Sequence, residues 1–328
     1  MSTGITLVIP NWNGADRLER LFESVHRQTI QVDKVLVVDN GSSDNSKLVA
    51  KAAGVEILAL DRNYGFARAV NAGIAESRTE AVAIVNNDVR LRPDCLERLH
   101  SALGTYAFAV PKIVWAEDEN RIDGTFDLTS RGFCSWRAGH GSSASLPAWN
   151  RGTAIQSAPM TAVLFRRSVF ETVGGLDEQF GSYLEDVDFG LRCAARGLSG
   201  WFEPAAVACH EGSATLGTWS PRMVRLIARN QVLLARKYGF AGGKWPVVAG
   251  QLGWGLLALK HGAGFAWIQG KIEGCRLAAP RTEMHSNDFT AIAGILNEQE
   301  RRLGELLKET GQRDTFWSAY FKVCGGRA

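Results

Sequence analysis

Acidic side chains follow apolar runs at several places in the first ninety residues. Asp39 follows the apolar run 34–38, and Asp88 closes a polar triplet that follows the run 81–85. Short apolar runs of this kind predict buried strands, and open α/β sheets bind ligands outside the carboxyl ends of their strands. A carboxylate at such an end can hold a hard cation and, through it, a phosphate. The alternative for the triplet is a helix cap, because Asn and Asp are good N-cap residues.

A second acidic cluster lies at the start of a predicted helix over 184–196. Glu185, Asp186 and Asp188 stand within four residues, with apolar residues at helical spacing between and after them. One interpretation is an acidic N-terminal cap that the helix dipole favours. The other is catalytic, because a crowded carboxyl group can have its pKa raised enough to serve as a general base.

His210 follows directly on the predicted strand 201–209. A lone histidine at a strand end is usually structural. It becomes a candidate metal ligand only if the fold brings it close to Asp88, where a neutral imidazole would complete the site.

Strands and helices alternate four times before residue 104. The apolar runs predict strands over 5–10, 34–38, 55–60 and 81–85, and helices over 15–28, 45–53, 66–77 and 92–103. Alternation with short connections predicts a right-handed parallel α/β sheet of the nucleotide-binding kind. The first turn carries no Gly-x-Gly-x-x-Gly or Walker loop, which argues against a dinucleotide-dependent dehydrogenase and a P-loop enzyme.

The rest of the chain is less regular. Residues 116–153 are polar and rich in Gly, Ser and Arg, and predict either a long loop or a β-excursion; loops of that length usually carry function or are disordered. Further elements follow: strands over 154–165 and 201–209, a short helix over 167–173, and helices over 222–238, 245–260 and 288–310. These elements predict a first domain over 1–218 and a helical region over 219–328.

The net charge of +3 conceals an asymmetry between these two parts. Residues 1–218 hold 21 Lys and Arg against 26 Asp and Glu, whereas residues 219–328 hold 16 against 8. A basic tail can approach an anionic surface. The six scattered cysteines form no Cys-x-x-Cys pair, which argues against a zinc site and is typical of a reduced, cytosolic protein. No signal peptide is predicted at the N-terminus.

The apolar region over 245–268 has two interpretations. Pro, Gly and charged residues interrupt it, so it is a poor candidate to cross a membrane and a fair one to lie on its surface. The competing interpretation is a packed helical cap over the first domain. The aromatic and basic residues on which the membrane interpretation depends are Trp245, Trp254, Trp267, Lys244, Lys260 and Lys271.

Taken together, these motifs resemble the inverting family 2 glycosyltransferases of the GT-A fold, and most closely their bacterial rhamnosyltransferase-like branch. The resemblance covers about residues 3–215. Its segments are Val8–Asn13, Val37–Asp44, Asn63–Asn71, Asn86–Asp88, Glu185–Asp186 and His210. It implies the α/β GT-A nucleotide-diphospho-sugar transferase fold, a Rossmann-like mixed sheet flanked by helices, here with a helical C-terminal region.

The resemblance also implies a role for individual residues. Asp39 would hydrogen-bond the nucleobase, and Asp88 with His210 would bind Mg²⁺ or Mn²⁺ on the diphosphate. Asp186, beside Glu185, would be the base that deprotonates the acceptor hydroxyl. The implied nucleotide-binding residues are Pro10, Asn11, Asn13, Asp39, Asn63, Gly65, Arg68, Asn86 and Asn87, and the implied acceptor-binding residues are Met160, Thr161 and Asp188.

Two positions depart from the common family pattern. Asn86 stands where the metal motif often begins with Asp, which is typical of the rhamnosyltransferase-like branch and predicts weak, donor-assisted metal binding. Arg68 replaces a frequent glycine and is predicted to reach the diphosphate.

The implied function is transfer of a sugar, with rhamnose from dTDP-rhamnose as one candidate, to a saccharide or lipid-linked saccharide in cell-surface polysaccharide synthesis. The expected location is the cytoplasm, with a peripheral place at the inner face of the plasma membrane if the tail binds anionic lipid; no nucleic acid partner is predicted. The alternatives are a nucleotidyltransferase and an inactive nucleotide- or carbohydrate-binding protein. Incubation with nucleotide sugars would discriminate among the three.

Overall fold

The computed structural model of the chain describes residues 4–212, 219–278 and 286–325. The strands in this part are β1 Ile5–Asn11, β2 Lys34–Asn40, β3 Glu56–Leu60, β4 Ala81–Val85, β5 Val89–Leu91, β6 Phe108–Trp115, β7 Ile122–Gly124, β8 Asp127–Thr129, β9 Ser135–Arg137, β10 Thr153–Ile155, β11 Ala162–Arg166 and β12 Gly200–His210. The helices are α1 Ala15–His26, α2 Ser46–Ala52, α3 Phe66–Ala75, α4 Cys95–Leu103, α5 Ser168–Val173, α6 Glu185–Ala195, α7 Pro221–Lys237, α8 Lys244–Lys260, α9 Gly264–Arg276, α10 Ser286–Thr310 and α11 Thr315–Cys324.

The first half of the central sheet is parallel, as the alternating pattern predicts. β4, β1, β2 and β3 lie side by side in that order, and Asn11 of β1 is the register partner of Asp39 of β2. Both faces are covered, since Val8 packs into one buried cluster while Leu7 and Ile9 pack into the other. The polar residues that end these strands therefore meet at one edge.

The second half makes the sheet mixed. β11 pairs antiparallel with β4 and β6, β12 runs parallel to β6, and β10 forms the far edge. The predicted strand over 154–165 was wrong as one element, because β10 and β11 are separate. Pro159 lies between them, and proline has no N–H to donate to a ladder.

The triplet that ends in Asp88 is not a helix cap. β5 begins at the next residue and pairs with the end of β12, where Val89 is the register partner of His210. Asp88 and His210 are thus brought together by strand pairing. Helix α4 begins only at Cys95, three residues later than predicted.

Residues 116–153 form a β-excursion, the second of the two predicted alternatives. β7 joins the main sheet beside β6, and β8 and β9 form a separate antiparallel hairpin in which Asp127 is the partner of Arg137. A 3₁₀ turn over Pro147–Asn150 closes the segment.

The C-terminal helices pack against the sheet domain. Leu303 of α10 and Trp317 and Tyr320 of α11 belong to the same buried cluster as Val8 of the central strand. The predicted helices over 222–238 and 245–260 are confirmed as α7 and α8, and α9 was not predicted. The predicted domain boundary at residue 218 lies outside the described residues and stays a prediction. Among the described helices, none combines the length and apolar character that a bilayer crossing requires.

Candidate functional site

A cavity of about 410 Å³ opens at the carboxyl edge of the parallel strands. The start of α6 and the β8–β9 hairpin form the wall opposite the strand ends. The predicted site residues that line it are Pro10, Asn11, Asn63, Asn86, Asn87, Asp88, Met160, Thr161, Glu185 and Asp186. The fold therefore brings strand-end amides and helix-start carboxylates to one cavity.

Hydrogen bonds among strand-end amides fix the sheet side of the cavity. Asn87 Nδ2 donates to Asn11 Oδ1 at 2.6 Å, and Asn11 Nδ2 lies 3.4 Å from Asp39 Oδ1. Gly14 is required for this close approach, because a Cβ there would lie 2.2 Å from Asn87 Nδ2. The Asn86 side-chain oxygen is buried and has no hydrogen-bond partner among the described residues, so it is available to a ligand.

Asp39 lies directly behind this wall with no exposed surface. Its carboxylate accepts from the backbone N–H of Ser42 at 3.2 Å, and Lys47 Nζ lies 3.8 Å away. The next residue, Asn40, lines the cavity and donates from Nδ2 to the side chain of Asn63 and to the Gly65 carbonyl. Asp39 is thus held beside the cavity by the turn that follows β2.

Asn13 and Gly65 shape the loops behind the cavity lining. Asn13 donates its backbone N–H to Ser42 Oγ at 2.9 Å, and its side-chain oxygen accepts from the backbone N–H of Ser43. Gly65 has a φ of 92°, and a Cβ on it would lie 2.9 Å from Gly181. Both residues hold turns in place.

Asp88, His210 and Asp123 form a buried chain of polar contacts. His210 Nε2 lies 3.3 Å from Asp88 Oδ1, and His210 Nδ1 lies 2.8 Å from Asp123 Oδ2. Burial alone would lower the pKa of His210, but hydrogen bonds to Asp123 and Asp88 raise it to about 9. Burial would raise the pKa of Asp123, yet hydrogen bonds from His140 and His210 and the charge of Arg137 hold it well below its usual range.

The backbone before α6 is strained. Tyr183 and Leu184 have φ values of 71° and 64°, which residues other than glycine rarely adopt. The buried Asn230 of α7 holds this turn, since its Nδ2 lies 2.6 Å from the Tyr183 carbonyl and 2.9 Å from the carbonyls of Phe180 and Ser182. Backbone strain of this kind is typical of functional sites, and here it directs the first residues of α6 into the cavity.

The carboxylates on this side of the cavity form no salt bridge within the described part of the chain, and the charge of Arg137 only partly offsets the effect of burial on the pKa of Asp186 and Asp127. Burial raises the pKa of Asp186, and the Val187 N–H, which donates to Asp186 Oδ1 at 2.8 Å, only partly offsets it. Burial and the neighbouring Asp186 raise the pKa of Glu185 well above its usual value and that of Asp127 to about 7. A carboxyl group that lines a cavity and has a raised pKa suits general-base chemistry near neutral pH.

Residues 6–174, just over half of the chain, match the family model described as Glycosyl transferase family 2. The chain belongs to glycosyl transferase family 2. This confirms, at the level of the family, the resemblance found in the sequence, and the matched residues include the strand-end motifs but end before α6.

Two Mycobacterium tuberculosis proteins are among the relatives of this family 2 chain. A pre-mycofactocin glycosyltransferase is 32% identical in an alignment of 224 residues that covers 66% of this chain and 45% of the relative. An N-acetylglucosaminyl-diphospho-decaprenol L-rhamnosyltransferase is 27% identical in an alignment of 245 residues that covers 66% of this chain and 79% of the relative. The chain thus matches less than half the length of the first relative.

Solved structures confirm the GT-A fold of this family 2 chain. GalNAc-T7 with UDP, GalNAc and Mn²⁺ superposes with a TM-score of 0.60 at 14% identity, covering 83% of this chain and 55% of that one. The Pyrobaculum calidifontis mannosyltransferase PcManGT with GDP-Man and Mn²⁺ gives 0.51 at 16% identity, covering 98% and 85%. Both have bound Mn²⁺ and a nucleotide or nucleotide sugar.

Asp188 and Arg68 are also absent from the cavity lining, as are the predicted site residues Asn13, Asp39, Gly65 and His210. The Asp188 carboxylate is enclosed by Arg192 at 2.9 Å, Lys237 at 2.9 Å and the Tyr238 hydroxyl at 2.8 Å, so it does not fit the predicted contact with an acceptor. Burial would raise the pKa of Asp188, but the charges of Arg192 and Lys237 lower it. Arg68 pairs with Glu178 at 3.2 Å rather than reaching toward the strand ends.

The structure adds residues that the sequence patterns missed. Asp127 and Arg137 line the cavity from the β8–β9 hairpin, Asp123 orients His210, and Asn230 supports the strained turn before α6. The long polar segment 116–153 was the only signal for the first three, and it indicated a functional loop without naming residues. Nothing in the sequence singled out Asn230.

The protein donors for a divalent metal are few. No group of three or more His, Cys, Asp and Glu side chains in the described ranges is arranged to hold a metal ion. Asp88 and His210 are the adjoining pair, and the unpartnered Asn86 oxygen lines the same cavity. Because Mg²⁺ commonly takes one or two protein ligands together with substrate phosphates and water, this donor set fits a metal that binds with a diphosphate.

Proposed function

We propose that the chain transfers a sugar from a nucleotide-diphosphate donor to a hydroxyl group of a saccharide or lipid-linked saccharide, with inversion at the anomeric carbon. The observation that carries the proposal is the placement of Asp186. Its half-buried carboxyl group, with a raised pKa, lines the same cavity as Asp88 and the amides at the strand ends.

The strand-end side of the cavity is the proposed donor site. Asp39 would accept a hydrogen bond from the nucleobase, while the Asn11–Asn87 pair and the Asn86 oxygen would face the ribose and diphosphate. A charge-assisted hydrogen bond to a base contributes both affinity and selectivity, because a base without the matching donor cannot form it.

Asp88 and His210 would hold Mg²⁺ or Mn²⁺. A bound metal supplies Lewis-acid stabilisation of the departing diphosphate. Asp123 would keep the Nδ1 proton of His210 hydrogen-bonded, which leaves Nε2 to face Asp88 and the ligand.

Asp186 would accept the proton of the acceptor hydroxyl as that oxygen attacks the anomeric carbon. The bond to the diphosphate breaks as the new glycosidic bond forms, so one displacement inverts the anomeric centre. Met160 and Thr161, which line the cavity, and Glu185, beside the base, are the proposed acceptor-side neighbours.

Rhamnose from dTDP-rhamnose is the donor sugar we propose first, since one relative is a rhamnosyltransferase. That relative's printed acceptor is a lipid-linked sugar, and the same class is proposed here in cell-surface polysaccharide synthesis. Such an acceptor would place this chain at the inner face of the plasma membrane.

The experiment is a panel of UDP-, GDP- and dTDP-sugars with Mn²⁺, followed by calorimetry for binding and NMR for slow donor hydrolysis. One nucleotide class should bind, and hydrolysis should release a sugar of inverted configuration. The proposal fails if no sugar nucleotide binds or is hydrolysed and Asp39→Ala changes nothing.

The same panel separates the rivals. A nucleotidyltransferase would consume a nucleoside triphosphate with a sugar phosphate and release pyrophosphate, whereas the Asn11–Gly14 turn lacks the Gly-rich basic signature of that class. An inactive binding protein would bind a sugar nucleotide without turnover in the presence of any acceptor.

A further inference from the structure

The outer face of α8 is apolar and exposed. Trp245, Val248, Leu252, Leu256 and Leu259 recur at spacings of three and four residues, so they lie along one side of the helix. Leu256 has 68% of its surface exposed and Leu259 has 66%. A helix that is apolar on all sides normally lies in a core or in lipid, whereas this one presents a full apolar stripe to solvent within the described structure.

α9 continues this surface. Phe265, Ile268 and Ile272 are exposed at helical spacing, and Phe265 is 74% exposed. The two helices pack closely, because a Cβ on Gly255 of α8 would lie 2.6 Å from the Trp267 ring of α9. We call the exposed apolar residues of α8 and α9 the outer face.

The inner sides of the two helices are already occupied. Trp254 packs against Trp219 with ring centroids 5.6 Å apart, and the half-buried Lys271 donates to Gln251 at 2.7 Å. Of the residues predicted to contact a membrane, Trp254, Trp267 and Lys271 therefore form part of the cap over the domain. Trp245, Lys244 and Lys260 face solvent.

The segment that carries the outer face is predominantly basic. Residues 219–278 hold nine Lys and Arg and a single acidic residue, Glu273. Lys244 and Lys260 stand exposed at the two ends of α8, and Arg276 stands exposed at the end of α9. Apolar side chains flanked by cations are complementary to an anionic lipid surface, which accepts the apolar residues and attracts the charges.

A second copy of the chain fits this surface less well. A two-fold interface places the same patch on both partners, so the cations at the ends of α8 and α9 would be brought near their own copies. Like charges at close range disfavour such a contact, and no acidic residue other than Glu273 lies in 219–278 to balance them.

We propose that the outer face of α8 and α9 docks the protein on an anionic phospholipid bilayer, with the helices lying in the interface plane. This docking deepens the proposed function, since a lipid-linked acceptor is presented at such a surface. Docking can nevertheless be measured by an experiment that does not depend on sugar transfer.

The test is flotation of the full chain with vesicles of phosphatidylcholine alone and of equimolar phosphatidylcholine and phosphatidylglycerol. The wild type should float with the anionic vesicles and largely fail to float with the neutral ones. Leu252→Glu with Leu256→Glu should lower the partition coefficient about tenfold or more. Both side chains are exposed, so the variant should fold normally, as circular dichroism would verify.

Leu48→Glu is the matched control, because Leu48 on α2 is 66% exposed and lies outside the outer face. It should float like the wild type. Added salt should weaken flotation without abolishing it, since only the electrostatic part is screened.

Three results would overturn the proposal. The first is a wild type that does not float with anionic vesicles, and the second is a double variant that floats as well as the wild type. The third is a wild-type dimer in sedimentation that the double variant loses while vesicle binding is absent, which would assign the face to a second copy. Donor-nucleotide binding is also measured for the double variant, so that the two proposals are tested separately. If the double variant binds the donor normally but no longer floats, the substitutions affect membrane docking alone.

Discussion

The polar groups on the two walls of the cavity lie in contrasting environments. On the strand-end wall, Asn11, Asp39 and Asn87 bond to one another and to backbone N–H groups. On the opposite wall, Glu185 is buried and Asp186 half-buried, and both have raised pKa values. The first arrangement suits rigid recognition of a ligand. The second provides carboxyl groups whose raised pKa suits them to accept a proton.

The same contrast occurs within α6 itself. Asp186 and Asp188 are two residues apart, yet the buried Asp188 is neutralised by Arg192 and Lys237 while the half-buried Asp186 faces the cavity. Adjacent carboxylates of one helix thus take different chemical roles according to what packs against each.

The largest effect should come from Asp186→Asn. Loss of the proposed base should lower the rate of sugar transfer by about 10²–10⁴-fold, because positioned general-base catalysis contributes that much. Donor affinity measured by calorimetry should change little. A comparable loss of donor binding would show that Asp186 acts on the donor side instead.

Asp188→Asn is the control for that contrast. It leaves Lys237 and Arg192 without their buried partner and should lower the free energy of unfolding by about 3–5 kcal/mol. Activity per folded molecule should be retained. Loss of transfer without loss of stability would contradict the division of roles within α6.

Asp39→Asn should weaken donor binding by about 10–100-fold, which corresponds to one charge-assisted hydrogen bond. The turnover number at saturating donor should change far less. Asp61→Asn, at the exposed carboxylate after β3, is the matched control and should leave the affinity unchanged. Equal effects of the two substitutions would argue against base recognition by Asp39.

Asp123→Asn should lower the affinity for Mn²⁺ by about 10–100-fold when a nucleoside diphosphate is present, because a carboxylate behind a ligating histidine tunes that ligand. Electron paramagnetic resonance of free Mn²⁺ measures this without any turnover. Asp118→Asn, in the same segment but exposed, should have no effect. An unchanged Mn²⁺ affinity in Asp123→Asn would argue against His210 as a metal ligand.

Asp127→Asn should produce the smallest effect on recognition and a measurable one on stability. The folded pKa of about 7 lies above the unfolded value of about 3.9, so the native state binds more protons between those pH values. Wild-type stability should therefore fall as pH rises through this window.

The asparagine variant should escape that fall, with a gain on the order of 2–4 kcal/mol above pH 7 and little below pH 4. Denaturant unfolding at acidic and mildly alkaline pH measures the difference. Asp16→Asn, at an exposed residue of α1, serves as the matched control. A pH-independent difference between Asp127→Asn and the wild type would show that Asp127 is not crowded by Asp186.

Much of the fold could be predicted because its signals are local. The strands β1, β2 and β4 are short apolar runs, and their parallel order follows from the alternation with helices. The β7–β9 segment was beyond such reasoning, since each strand has only three residues and is too short to show a periodic apolar pattern. Asp123, Asp127 and Arg137 were missed for that reason.

The sequence alone determined which polar groups end the parallel strands and which carboxylates begin α6. A buried strand must stop where polar residues begin, and an apolar stripe sets how a helix turns. Only the tertiary structure decided which carboxylate would be neutralised, because Lys237 and Tyr238 reach Asp188 from a helix about fifty residues later in the chain. No salt bridge to Asp186 forms among the described residues, where burial raises the pKa of Asp186 and Arg137 only partly offsets it, and that difference is why we propose Asp186 as the base.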